Sequence, residues 1–252
     1  MNDMNDKLFD SSFSDEELRK KRFEDALEVA ACTPQPVNLK DFNRDAVLPC
    51  SITPEHVYLA MQEFLKFIRV ANVQLNKEKI ERLEAMLAPA NFSGMVGDFM
   101  AVTIPRFNPG IVRNTYHNGH PDMLPAGRFE NDSVQYGDEG VEIKASRYMK
   151  GWQGHNPENV WLMIFVFDSN RPTDSAKNIP PRPFSFRMVA GAQIGDEDWR
   201  FTPRKEGSRR TPTAGVLKTG HLKMITNWIY KAPDLTEKET RALLAPPPQL
   251  LL

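Results

Sequence analysis

The sequence predicts an α/β (α+β) protein with a helical N-terminal region, and three observations carry that prediction. Apolar residues recur at helical spacing through the first ninety positions. Short runs rich in Val, Ile and Phe follow from about residue 100. Gly, Pro, Asn and Asp separate those runs, as turns between strands require. At 252 residues, 40% hydrophobic and 26% charged, the chain can bury a sizeable core as one large domain or one domain with an appended piece. Its organisation reads as a mainly helical region over 1–90, a strand-rich core over 91–235 and a proline-rich tail over 236–252.

In order along the chain, Ser14 followed by Glu17 forms a capping box that opens a helix through "DEELRKKRFEDALEVAA", and "TPQPVNLKDF" ends it. Thr53 then caps a second helix with Pro54 at its first position and Val57, Met61, Phe64, Leu65 and Ile68 on one face. A third, shorter helix is expected from Asn76, with Ile80, Leu83 and Leu87 on one side and Pro89 as its stop. The expected strands are "MAVTI", "HPDMLP", "GVEIKAS", "VWLMIFVFD", "FSFRMVAGAQI" and "WRFTP"; a last helix is expected over "HLKMITNWIYKA".

Composition excludes several classes. The longest apolar run, "VWLMIFVF", is too short to span a bilayer, and "MNDMNDKLFDSS" is unlike a signal peptide, so a cytoplasmic protein with no membrane partner is expected. Cys32 and Cys50 form no C-x-x-C pair and no disulfide framework. No internal repeat or Gly-rich phosphate loop is visible. The net charge of −1 hides a basic stretch between Trp199 and Lys223, where Arg200, Arg204, Lys205, Arg209, Arg210, Lys218 and Lys223 face one acid, Glu206. Such a stretch is either a solvated face or a contact for a polyanion.

The chemistry-bearing segment is "GHPDMLPAGRFENDSVQYGDEGVEIKASR". On a strand, side chains alternate faces, so Glu142 and Lys144 project to one side while Val141 and Ile143 point to the other. With Asp122 alongside on a neighbouring strand, two carboxylates can converge on one divalent cation, the hard oxygen environment that Mg²⁺ prefers. Lys144 beside that cation can orient a water or offset charge on a phosphate.

Pro121-Asp122 followed by Glu142-Ile143-Lys144 resembles the signature of the PD-(D/E)XK nucleases, the restriction-endonuclease-like superfamily. The resemblance implies a mixed central sheet flanked by helices within 91–235. It also implies Asp122 and Glu142 as metal ligands and Lys144 as the catalytic lysine. Members often carry a further acid on the preceding helix. "SGMVGDF" offers Asp98, either as a third ligand or as a helix-cap or turn residue, with Glu84 as a poorer alternative and Asp138 as a reserve for Asp122. A polar residue downstream of the lysine is common in such nucleases, which makes Gln153 a catalytic candidate. The helix usual between the catalytic strand and the next is short or missing here.

Arg147, Lys150, Gln153, His155 and Asn156 form a loop that either contacts DNA or is ordered by a buried Trp152, and Arg204, Lys205, Arg209 and Arg210 fit a backbone and groove contact surface. His117 and His120 lack the spacing of a zinc site, and His120 reads as a residue behind the ligands or as a substrate contact. The expectation is a Mg²⁺-dependent endonuclease, with Mn²⁺ able to substitute, that cuts double-stranded DNA as a homodimer of restriction-enzyme type. The alternatives are a monomeric nicking or repair nuclease and a catalytically inactive DNA-binding module of the same fold.

Overall fold

The computed structural model describes residues 14–154, 156–203, 207 and 213–244. The first helix, α1 (Asp15–Ala31), begins with the expected capping box, in which Ser14 and Glu17 satisfy each other's backbone amides. The second, α2 (Pro54–Lys77), starts at the Thr53 cap and buries Val57, Ala60, Met61, Phe64, Leu65, Ile68 and Asn72. Its apolar face is the one that the spacing predicts.

The third helix departs from expectation. The chain continues as α2 through Lys77, Lys79 turns with positive φ, and only Leu83–Met86 form a helix, α3. The reason is Arg82, whose buried guanidinium donates to Glu28, Glu84, Asn170 and the Arg182 carbonyl. Asn72 accepts from the Leu83 amide and donates to Glu84, which closes the network. Satisfying a buried cation from four directions outweighs the modest propensity of this segment to continue as a helix.

Pro89 ends nothing; it is the first residue of α4 (Pro89–Thr103). "MAVTI", expected as a strand, lies mostly in the last turn of α4. Phe92, Val96, Met100 and Thr103 are buried at helical spacing, a period that the short apolar run alone cannot display.

The strands are β1 (Ile111–Arg113), β2 (Met123–Pro125), β3 (Val141–Ser146), β4 (Gln153–Gly154), β5 (Val160–Asp168), β6 (Ser185–Ile194), β7 (Trp199–Thr202), β8 (Thr213–Val216) and β9 (Trp228–Lys231). Six of them form a mixed sheet in the order β1-β2-β3-β5-β6-β9; β3 and β5 run parallel and the other neighbours antiparallel. A second, three-stranded sheet has the order β4-β8-β7. Two further helices are α5 (Lys218–Thr226) and α6 (Glu237–Leu244), so residues 237–244 of the proline-rich tail are helical. "HLKMITNWIYKA" therefore splits into the end of α5 and the whole of β9. Asn227 sits at the break, exchanging side-chain hydrogen bonds with the backbone of Val47 and donating to the Gly191 carbonyl.

Strand β5 shows how the sheet divides the core. Trp161, Met163, Phe165 and Phe167 pack on one face with α2 and α4, whereas Leu162, Ile164 and Val166 pack on the other with Trp152, Trp199, Val216 and Met224. Burial on both faces explains why its sequence is continuously apolar rather than alternating. Phe42, Phe64 and Phe92 share one cluster with Val141 and Val189, so the helical N-terminal region and the main sheet bury a common core. Cys32 and Cys50 are free thiols, and among the described residues no helix is long and apolar enough to cross a membrane.

Candidate active site

The site forms where β2 meets β3. Met123 pairs with Val141, so Asp122 and Glu142 are the next residues to face each other across the antiparallel pair. The Asp122 amide donates to Glu142 Oε2 at 3.3 Å, and the Ile143 amide donates to Asp122 Oδ2 at 2.8 Å. Gly140 permits this approach: its φ of +138° and the closeness of the Met123 carbonyl leave no room for a Cβ.

Asn114 holds the loop that leads into Asp122. Its amide donates to the carbonyls of Pro121 and Val134 while its oxygen accepts from the amides of Tyr116 and Val134. Backbone bonds from His120 to Gln135 and from Gly137 to His120 complete the brace. His120 is thereby aimed at Glu142, with Nδ1 3.0 Å from Oε2, while Lys144 donates to Glu142 Oε1. Glu158, just before β5, brings Oε1 to 4.0 Å from His120 Nδ1. These groups line an open pocket of about 550 Å³ that also includes Tyr136, Asp138 and Asn156.

The protonation balance follows from this packing. Glu142 is only 4% exposed; burial pushes its pKa up, but the His120 hydrogen bond and the Lys144 charge outweigh burial and hold it below the usual carboxylate range. Burial lowers His120 and Lys144, yet the partnership with Glu142 leaves both raised. For Asp122 the compensation falls short. Burial and then the Glu142 charge push its carboxyl up to about 7, opposed by Lys144 and the Ile143 amide, with Asp98 adding to the rise. Asp122 and Glu142 are both hard oxygen donors, and a divalent ion beside them would favour the ionised form of Asp122 that burial and the Glu142 charge oppose.

The remaining sequence candidates divide. Asp98 is exposed on α4 and within electrostatic reach of Asp122. Among the described residues, however, the set whose ligand atoms all lie within 4.8 Å of one another is His120, Glu142 and Glu158, which leaves out both Asp98 and Asp122, and Asp122 does not line the pocket. Glu84 is not a ligand candidate, because it is buried in the Arg82 ion pair. Gln153 lies exposed on β4 of the small sheet and does not line the pocket. Arg147 is committed internally: it donates to Ser169 and to the carbonyls of Pro89 and Asn170 and lies over the rings of Phe92 and Phe167 at 5.1 and 5.0 Å. Burial and the Arg171 charge bring Arg147 down to about 10. Lys150 is half-buried in the turn before β4, and Trp152 is buried there, donating to the Tyr148 carbonyl and packing on His221. His155, Arg204, Lys205, Arg209 and Arg210 lie outside the described residues.

Glu158 is the site residue that sequence reasoning missed. It sits in "NPEN", which reads as a solvated turn, and only the parallel pairing of β5 with β3 brings it to Glu142. Compared with protein-family models, curated proteins and solved structures, the chain matches none of them.

Proposed function

We propose that this chain is a Mg²⁺-dependent endonuclease with a restriction-endonuclease-like core that hydrolyses phosphodiester bonds of double-stranded DNA as a homodimer. One observation carries most of the weight. Asp122, twenty residues from Glu142 in sequence, is brought beside it just before β2, where its amide donates to the Glu142 carboxylate, and Glu142 and Lys144 open from β3 onto a pocket roomy enough for a phosphodiester. The mixed sheet with helices α2 and α4 on one face agrees with the architecture that the motif implies.

Asp122 and Glu142 would hold Mg²⁺, or Mn²⁺ in its place; a cation so held polarises a phosphoryl oxygen and lowers the pKa of bound water. The chain's own groups do the rest. Glu142 stays ionised at neutral pH because His120 and Lys144 stabilise its charge. Lys144 stays protonated at the wall of the pocket, where its ammonium offsets the negative charge that builds on the phosphate as water attacks and the P–O bond breaks. Asn156 lines the same pocket and can donate to a phosphate oxygen. The basic residues Arg204, Lys205, Arg209 and Arg210, between β7 and β8 in sequence, supply charge for the DNA backbone. Incubation of supercoiled plasmid with the full chain and Mg²⁺ tests the proposal: linear product supports it, and uncut DNA at all divalent-ion concentrations rejects it.

A further inference from the structure

We propose that His120, Glu142 and Glu158 hold a divalent cation of their own, next to the Asp122–Glu142 position and sharing Glu142 with it. The inference concerns cation binding alone and stands or falls independently of whether the chain cuts DNA.

Geometry is the first support. A transition-metal ion binds imidazole nitrogen and carboxylate oxygen at about 2.0–2.2 Å, so two ligands of one six-coordinate ion lie about 3 Å apart when adjacent and a little over 4 Å apart when opposite. His120 Nδ1 is 3.0 Å from Glu142 Oε2 and 4.0 Å from Glu158 Oε1. All three ligand atoms lie within 4.8 Å of one another. Side-chain adjustments of a few tenths of an ångström would bring them onto one ion.

Charge is the second. Asp122, Glu142 and Glu158 converge here against Lys144 and His120, and Asp98 adds a further acid nearby. His120 Nδ1 lies 3.0 Å from Glu142 Oε2 and 4.0 Å from Glu158 Oε1, so one imidazole nitrogen borders both carboxylates. A divalent ion in place of the imidazole proton reaches both.

Position is the third. All three side chains line the pocket, so solvent and substrate reach the ion without any rearrangement of the core. The backbone around His120 is fixed by its bonds to Gln135 and Gly137, and Glu158 is tied by its carbonyl, which accepts from the Trp199 indole at 2.8 Å. Ligands held by rigid supports bind with less ordering cost.

The donor set predicts which ion. One nitrogen among carboxylates favours Mn²⁺, Co²⁺ or Zn²⁺ over Mg²⁺ and Ca²⁺, whereas the all-oxygen Asp122–Glu142 position accepts the harder ions. Mn²⁺ is therefore expected to occupy two positions per chain and Mg²⁺ one.

Titration of the full chain with Mn²⁺ alone, without DNA, followed by calorimetry and electron paramagnetic resonance, reads the stoichiometry. The wild type is expected to bind two Mn²⁺, with the spectral broadening of two neighbouring ions. Glu158→Gln and His120→Ala are each expected to bind one, with unbroadened signals, and Asp122→Asn is expected to keep the His120–Glu158 ion. Thermal melts of each variant, matching wild type, show that a lost ion is not a lost fold. Equal stoichiometry in wild type and Glu158→Gln would overturn the site. So would complete loss of Mn²⁺ in Asp122→Asn, because every ion would then belong to the Asp122 position. Two bound Mn²⁺ in a protein that leaves DNA uncut would retain this site and reject the nuclease proposal.

Discussion

Asp122 and Glu142 are joined across β2 and β3 by two amide-to-carboxylate hydrogen bonds, one from the Asp122 amide to Glu142 and one from the Ile143 amide to Asp122. The carboxylates are thus placed by backbone, and substitution can remove charge without moving the strands. Asp122→Asn keeps an acceptor for the Ile143 amide, and Glu142→Gln keeps one for His120 or Lys144. Each is expected to lower cleavage by about 10²–10³-fold, the scale for losing one electrostatic stabiliser of a transition state, while DNA affinity changes only a few-fold. Single-turnover cleavage and gel retardation on one duplex separate the two effects; wild-type rates in either variant would remove these residues from the chemistry.

Lys144→Met is expected to leave cation binding intact and to lose activity, because Glu142 retains its His120 partner and the pocket loses its ammonium. Recovery of full rate at high Mg²⁺ would make the lysine a structural partner of Glu142 instead.

The Asp122 carboxyl, pushed up to about 7 by burial and the Glu142 charge, makes cation affinity depend on pH. Below pH 7 the ion-free site holds a proton that a cation must displace, so binding releases about one proton and weakens by about tenfold per pH unit; above 7 the dependence levels off. The same raised pKa opposes folding: stability from this group is full below the unfolded value near 3.8 and declines as pH rises through about 7. Mg²⁺ calorimetry between pH 5.5 and 8.5, roughly spanning the transition, is expected to show this slope, and Asp122→Asn is expected to flatten it. A pH-independent wild-type affinity would contradict it.

Much of this arrangement was legible in the sequence, and the failures have physical causes. Period-two alternation placed Glu142 and Lys144 on one face of β3, and the Pro-Asp step located Asp122. The capping box at Ser14 and the apolar face of α2 appeared where the spacing put them. "MAVTI" misled because four apolar residues carry no readable period, and "NWIYKA" because Asn227 ends a helix through distant partners, Val47 and Gly191. Glu158 carried no local signal at all; its role depends on a parallel strand pairing that spacing cannot reveal. Arg147 looked like a DNA contact for the same reason, since nothing nearby in sequence shows that its guanidinium is held by Pro89, Ser169 and Asn170.

The buried Arg82–Glu84 pair joins α3 to α1, α2 and the segment after β5, and its loss is expected to be felt as stability. Arg82→Met leaves Glu84 buried with only Asn72 and is expected to cost about 3–5 kcal/mol, measured by urea denaturation. The double variant Arg82→Met/Glu84→Leu is expected to cost less than the single one, because no unpaired charge remains. A single variant as stable as wild type would show that the network contributes nothing.

The central claim is tested most directly by digesting supercoiled plasmid with the full chain under four conditions, Mg²⁺, Mn²⁺, Ca²⁺ and excess chelator, and sequencing the ends of any product. Linear DNA with defined ends is expected with Mg²⁺ and Mn²⁺. Ca²⁺, larger and more loosely coordinated, is expected to give a stable uncut complex, and chelator no cleavage. Plasmid left intact by both Mg²⁺ and Mn²⁺, or cutting undiminished in chelator, would contradict the assignment of Asp122, Glu142 and Lys144 to metal-dependent hydrolysis of DNA.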